Sequence, residues 1–235
     1  MAIKVSVVGA TGRMGKLALE LIDAAEDLEL HSALDSTSDA STSDGADVIF
    51  EVTRLDVSQQ VVAKAIAGGQ KIVVGTSGWS AERLAELKDL GQAAVVVIPN
   101  FSVGSMLATR FATEAGKFFD SIEIVETHHA GKLDSPSGTA VRTAELIAAN
   151  RTAPVTAPAA DQDARGQLVA GIPVHSLRLA GVSAKQDVHF GGISEVLTIS
   201  HETSSVSAYA AGILAAIRFA AKAQGLHVGL DAVFK

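Results

Sequence analysis

The sequence predicts an α/β protein: a doubly wound parallel sheet, with an α+β unit on an open mixed sheet inserted before the last helix. Three observations carry that reading. Over the first hundred residues short apolar strand runs alternate with helical runs, the order that builds parallel sheets. In the last third, three strand runs follow one another with no helix between them. Hydrophobic residues make up 48% of the chain but aromatics only 4%, so the core is built from Ala, Val, Ile and Leu, which suits strands buried on both faces.

Taken in order, IKVSVV (3–8) is a β-branched run, read as a buried strand that enters a glycine turn. The helix GKLALELIDAAEDLEL follows, with Leu17, Leu21, Ala24, Ala25 and Leu28 at helical spacing. LHSALD is a second strand ending at Asp35, and DVIFEVT (47–53) is a third. VSQQVVAKAIAGG is a helix stopped by Gly68 and Gly69. KIVVGTSG is a fourth strand, SAERLAELKDLG a helix and AAVVVIPNF a fifth strand. Together they form a Rossmann-type unit over 1–102, completed by 206–235 and its small-residue helix SAYAAGILAAIRFAAKA. Between them, 103–205 forms the second unit. Its elements are the helix SMLATRFATEAGKFF, the strand SIEIVETHH, the helix GTAVRTAELIAAN and an irregular connection over 151–170. The strands VHSLRL, KQDVHFGG and SEVLTISHE follow.

Charge and composition remove several function classes. A net charge of −7 argues against nucleic acid or a membrane surface as a partner. An anionic ligand must therefore be held by a local positive cluster. The chain has no cysteine, so it has no disulfide, thiolate metal site or cysteine nucleophile, and it fits a reducing compartment. No apolar run nears the ~20 residues of a membrane span. The opening residues lack the long apolar core of a secretory signal. The expectation is a soluble, cytoplasmic protein, and no cluster of ligands suggests a metal.

Gly9-Ala10-Thr11-Gly12-Arg13-Met14-Gly15 lies between a strand and a helix, spaced G-x-x-G-x-x-G. Positions without side chains let backbone N–H groups and the helix start approach a pyrophosphate. Asp35 closes the second strand, where a carboxylate bonds adenosine ribose hydroxyls. Ser36, rather than an arginine, follows it and tilts the cofactor towards NADH, while Arg13 keeps NADPH open. Gly75-Thr76-Ser77-Gly78 and Pro99-Asn100-Phe101 close the fourth and fifth strands, at the carboxyl ends where ligands sit in this architecture.

The densest chemistry is in ETHHAGKLDSPSGTA (126–140). If the strand runs on, His128 and His129 point to opposite faces. Lys132 lies across Ala130-Gly131, where a turn brings it back. Ser137 is the N-cap of the next helix, with N–H groups beyond it. Lysine, histidine and a helix start together form a receptor for carboxylates, and the histidine can exchange a proton near neutral pH.

This stretch resembles the signature E-x-H-H-x-x-K-x-D-x-P-S-G-T-A of bacterial dihydrodipicolinate reductases. VGATGRMG, VGTSG, PNFSVG, SLRLAG and FGG-x-x-E-x-L-T-I-x-H accompany it in the family's order. The resemblance implies reduction of 4-hydroxy-tetrahydrodipicolinate (dihydrodipicolinate), a cyclic dianion, to tetrahydrodipicolinate on the route to diaminopimelate and lysine. Hydride from NADH or NADPH goes to ring C4. It implies His128 as proton donor or acceptor and Lys132 as proton donor, with His129, Gly138 and Thr139 at the substrate; we group Ser137 with them. Gly9 to Met14, Asp35, Gly75 to Ser77 and Ile98 to Phe101 are the implied cofactor contacts. A homotetramer joined through the second unit's sheet is also implied.

The chain departs from the family in Lys185, where relatives often carry histidine, and in SHETSS, which lacks an arginine. The stretch TSDASTSDGADVIFEVTRLD is compressed, and no cofactor contact is transferred from it. Two other readings stand beside the reductase: an NAD(H)-sensing regulator without chemistry, and a dehydrogenase of another small dicarboxylate. Which of His128 and His129 is the acid stays open.

Overall fold

The computed structural model describes residues 2–38, 43–87 and 89–234. Residues 39–42 of the compressed stretch, and Lys88 of the third expected helix, lie outside them. The chain divides into two compact units, Met1–Val103 with Val206–Lys235, and Gly104–Ser205.

The first unit is a parallel sheet of β1 (Ile3–Val8), β2 (Leu28–Leu34), β3 (Val48–Glu51), β4 (Lys71–Val74), β5 (Ala94–Val97) and β11 (Gly225–Val228). Its order is β11-β5-β4-β3-β1-β2, so the winding reverses between β3 and β1. The alternating strand and helix runs thus give the doubly wound sheet. Its inner strands are sealed on both faces: every residue of β3 and β5 is buried. Ile49, Ile72, Val74, Val95 and Val97 pack on Val62 and Ala65 of α2 (Leu55–Ala67). Helices α1 (Arg13–Ala24) and α6 (Ala210–Ala220) pack against each other, and α6 lies on β3, β4 and β5. Such aliphatic strands need no aromatic bulk, which is how 4% aromatics suffice.

Three elements differ from the sequence reading here. α1 stops at Ala24, so that β2 already starts at Leu28, inside the run expected to be helix. β11 is a sixth strand that the sequence reading did not anticipate; GLHV has no β-branched run and is fixed by pairing with β5, where Gly225 N–H meets Ala93 O at 3.0 Å. α3 spans only Ala81–Glu86, because Leu87 turns to extended backbone.

In the second unit, α4 (Val103–Ala115) and α5 (Gly138–Ala149) accompany a mixed sheet ordered β10-β9-β6-β8-β7. Its strands are β6 (Ser121–His129), β7 (Gln167–Val169), β8 (Ile172–Leu179), β9 (Ala184–Gly192) and β10 (Glu195–Thr203). Only β6 and β8 run parallel; the other neighbours are antiparallel. The connection expected to be irregular contains β7, three residues paired with β8. Ala140, Ala144 and Ile147 of α5 cover Ile122, Ile124, Ile172, Val174, Val188 and Phe190.

Candidate functional site

The buried face of the second sheet changes character along its strands. On β6 the inward positions run Ile122, Ile124, Glu126, His128, since alternate residues share a face. On β8, in register, they run Ile172, Val174, Ser176, Arg178, with Ile124 opposite Val174 and His128 opposite Arg178. On β9 the partners of Ile124 and Glu126 are Val188 and Gln186. Apolar rows therefore give way to polar ones within one sheet face, beside the start of α5.

Glu126 is at the centre, 0% exposed. Its Oε2 lies 2.5 Å from His128 Nδ1 and accepts from Arg178 Nη1 at 3.0 Å. Its Oε1 accepts from Arg178 Nη2 at 3.0 Å and from the Ser137 N–H at 3.2 Å. Burial would raise this carboxyl's pKa, but bonds from Arg178, Ser176 and His128 outweigh it and hold the group below the usual range. Arg178 also donates to the carbonyls of Lys132 (3.2 Å) and Asp134 (2.6 Å).

The Lys132 N–H closes a turn on His129 O at 3.0 Å, so the chain folds back after the strand as expected. The Lys132 ammonium, however, sits on Asp134, 2.7 and 2.8 Å from its two oxygens, and this pairing lowers the Asp134 pKa. His128 is half-buried and His129 exposed, on opposite faces of β6. Ser137 caps α5 by accepting from Ala140 N–H at 3.3 Å, so both its hydroxyl and its N–H are engaged within the chain. Gly138, exposed, and Thr139, half-buried, head the helix.

In the first unit, the N–H groups of Gly9 and Ala10 donate to Leu34 O at 2.9 and 3.0 Å, which ties the glycine turn to the strand end carrying Asp35. Gly9 has φ +93°, and a Cβ there would lie 2.5 Å from Val52 O. Thr11, Gly12 and Arg13 are exposed, Met14 is half-buried and Ala10 buried; α1 starts at Arg13 with no acidic residue in its first turn. Asp35 is exposed, and its Oδ1 accepts from Thr37 N–H (2.9 Å), Thr37 Oγ1 (2.7 Å) and Ser38 Oγ (3.1 Å). These bonds, Thr37's first, lower its pKa.

At the next strand ends, Glu51, also 0% exposed, gathers Thr53 and Thr76. Gly75 is packed so closely that a Cβ would lie 2.7 Å from the Phe101 ring. Ile98 and Phe101 are core side chains, Phe101 resting on Phe50 at 5.6 Å between ring centroids. Ser77 and Pro99 are exposed, and Asn100 accepts from Ser102 N–H at 2.9 Å.

Sequence reading assigned no role to Glu126, Arg178 or Asp134. The available signal was the spacing Glu126–His128, which puts an acid and an imidazole side by side on one strand face.

A doubly wound sheet with a glycine turn ahead of α1, and a second unit whose mixed sheet ends in a histidine–carboxylate–guanidinium cluster, together define a two-unit Rossmann-type oxidoreductase. The chain belongs to the dihydrodipicolinate reductase family. The pattern described as dihydrodipicolinate reductase, N-terminus, matches residues 3–101, and that described as its C-terminus matches 104–234. The 4-hydroxy-tetrahydrodipicolinate reductase of Clavibacter michiganensis subsp. michiganensis is 58% identical, across 98% of this chain and 86% of that protein. The enzyme of the same name from Streptomyces griseus subsp. griseus is 41% identical, across 97% and 96%. A solved structure, dipicolinate-bound dihydrodipicolinate reductase from Paenisporosarcina sp. TG-14, matches with a TM-score of 0.84 at 29% identity, covering 98% of this chain and 99% of that one. No helix among the described residues is long and apolar enough to cross a membrane.

Proposed function

We infer that this chain reduces 4-hydroxy-tetrahydrodipicolinate to tetrahydrodipicolinate, the 4-hydroxyl leaving as water, using NADH or NADPH, in diaminopimelate and lysine biosynthesis. The observation that carries the reading is the turn closed by Lys132 N–H on His129 O. It sets the lysine directly after the strand end bearing His128 and ahead of the capped start of α5, in a chain 58% identical to an enzyme of that name.

The first unit's residues fit a dinucleotide. Gly9 is at a positive φ where a side chain would strike Val52 O, so the turn keeps its backbone bare. The α1 start brings no competing carboxylate to a pyrophosphate. Gly9 to Met14 would hold the phosphates and Asp35 the ribose hydroxyls, with Gly75 to Ser77 and Ile98 to Phe101 shaping the rest. Ile98 and Phe101, being core side chains, would act through their backbone. Asp35-Ser36 favours NADH. When bound, the nicotinamide supplies a hydride.

The chain's own residues supply charge and proton. On a protein of net charge −7, a dianion needs a local cation, and Lys132 with the start of α5 provides it. Lys132 is released to it when a substrate carboxylate takes the place of Asp134. His129, Gly138 and Thr139 complete the hold on substrate, with Ser137 ordering the helix start. His128 and Lys132 offset negative charge as it builds on the ring and supply the balancing proton, effects worth about 10²–10⁴-fold.

The same reading includes a homotetramer through the second sheet, supported by the exposed Leu177, Leu179 and Val196 on the face away from α5, and a cytoplasmic location. Light scattering at four times 24.1 kDa is expected.

The test is an assay coupled to the synthase that makes the substrate, run with each nicotinamide in turn. Cofactor oxidation that depends on fresh synthase product is expected. Cofactor binding without such turnover would reject the enzyme and favour a sensing role.

A further inference from the structure

We propose that Glu126 is a positioning residue for this reduction: with Arg178 it holds His128 as the Nδ1–H tautomer, so that Nε2 is the one ring atom through which His128 exchanges a proton. The inference rests on the function inferred above and deepens it.

Placement is the first argument. Glu126 follows Ile122 and Ile124 on the helix-covered face of β6 and is fully buried, with Ser176 across from it on β8 and the Arg178 guanidinium reaching it from the next inward position. A buried carboxylate–guanidinium pair gives little net stability compared with an apolar pair of the same volume. A purely structural solution at this point would continue the Ile and Val rows. The pair therefore has its use in what it orders.

The bonding says what that is. Both carboxylate oxygens are engaged, Oε1 by Arg178 Nη2 and the Ser137 N–H, Oε2 by Arg178 Nη1 and His128 Nδ1, and the Ser176 side chain bonds to the same carboxylate. An ionised carboxylate only accepts, so the proton in the 2.5 Å contact belongs to Nδ1. The i,i+2 spacing on one strand face fixes the ring's swing, and the carboxylate fixes its rotation. When His128 gives up a proton, the Nε2–H bond breaks, its electron pair stays on the ring, and the neutral Nδ1–H form is left. The same guanidinium holds the carbonyls of residues 132 and 134, so the loop that carries Lys132 is set by the same pair.

Glu126→Gln separates this role from simple packing. Arg178 Nη2 and the Ser137 N–H both donate at the Oε1 position, while Arg178 Nη1 at the Oε2 position keeps the Leu177 carbonyl as acceptor, which draws the amide oxygen to the Oε1 position. The amide NH₂ then faces His128 Nδ1 and donates to it, forcing the proton onto Nε2. In ¹⁵N-histidine NMR at a pH where the ring is neutral, with His128 assigned through His128→Asn, the wild-type cofactor-bound enzyme should show the Nδ1–H tautomer. Glu126→Gln should show the Nε2–H tautomer.

In the coupled assay the variant should lose about 10²–10⁴-fold in kcat with substrate KM within threefold. The wild-type spectrum needs no variant to fold: an Nε2–H tautomer there overturns the proposal. So does a folded Glu126→Gln that keeps kcat within threefold or loses only KM. A wild-type chain with no turnover at all sinks the functional reading, and the positioning role of Glu126 with it. An active wild type beside an active Glu126→Gln sinks the positioning role alone.

Discussion

Thr76→Val tests how the first unit's strand ends are held together. Thr76 is 6% exposed, and its hydroxyl donates to Glu51 Oε1 at 2.8 Å while accepting from the Thr53 N–H at 2.9 Å. Valine keeps the volume and removes both bonds. The bond to the buried carboxylate is worth about 1.5–3 kcal/mol, and the bond from the N–H about 0.5–1.5 kcal/mol. Thr53 N–H keeps Glu51 Oε1 at 2.7 Å, so it is not orphaned and the lower end applies to its share.

The expected loss is about 2–4 kcal/mol. With a urea dependence of about 2 kcal/mol per molar, the midpoint falls by roughly 1–2 M. Trp79 is the chain's one tryptophan, lies in the first unit, and its Nε1 donates at 3.0 Å to Ser58, which itself donates to Glu51. Its fluorescence therefore reports on this unit and this network. A loss under 0.5 kcal/mol would refute the claim that Glu51 ties the ends of β3 and β4 through Thr53 and Thr76.

Lys132→Ala and His128→Ala should each lower kcat by about 10²–10⁴-fold while circular dichroism stays unchanged; wild-type rates in both would remove their assigned roles. Gly9→Ala should abolish dinucleotide binding by calorimetry, because alanine at φ +93° costs about 1–3 kcal/mol before its Cβ meets Val52 O. Ser137→Ala should cost about 0.5–2 kcal/mol through loss of the α5 cap, and Ser137→Thr, which keeps the hydroxyl without adding a charge beside Glu126, should restore most of it in urea titrations. Because the folded enzyme holds the Glu126 carboxyl below its ordinary value, the stability it contributes is complete above about pH 4.3 and is lost as pH falls through the folded value. Urea midpoints followed by circular dichroism should therefore decline in acid less steeply for Glu126→Gln than for wild type.

The elements legible in the sequence are those with a local cause. The glycine turn, the helix stop at Gly68-Gly69 and the Ser137 cap each rest on backbone chemistry that a few residues dictate. What escaped has a distant cause. GLHV becomes β11 because β5 offers it a free edge, and QLV becomes β7 because β8 does. Neither carries enough β-branched or alternating pattern to announce itself. Lys132 was legible as a loop cation, yet its ammonium's resting partner, Asp134, depends on how Arg178 holds the carbonyls on either side of Leu133.

The same distinction explains where each unit keeps its chemistry. Strands of the first sheet are covered on both faces, so a polar side chain along β3 or β5 needs partners at once, as Glu51 at the end of β3 has in Thr53, Ser58 and Thr76. The residues proposed to face a ligand are thus confined to strand ends and turns, where glycine and aspartate mark them in sequence. The second sheet is covered by α5 over only part of one face. At the N-terminal end of that cover, where the Ser137 N–H meets Glu126, positions on β6 and β8 themselves admit Glu126, His128 and Arg178, provided they satisfy one another. Such residues carry no turn motif. They become recognisable only when register sets them opposite each other, which is why two adjacent histidines were conspicuous and the buried acid and arginine that orient one of them were not.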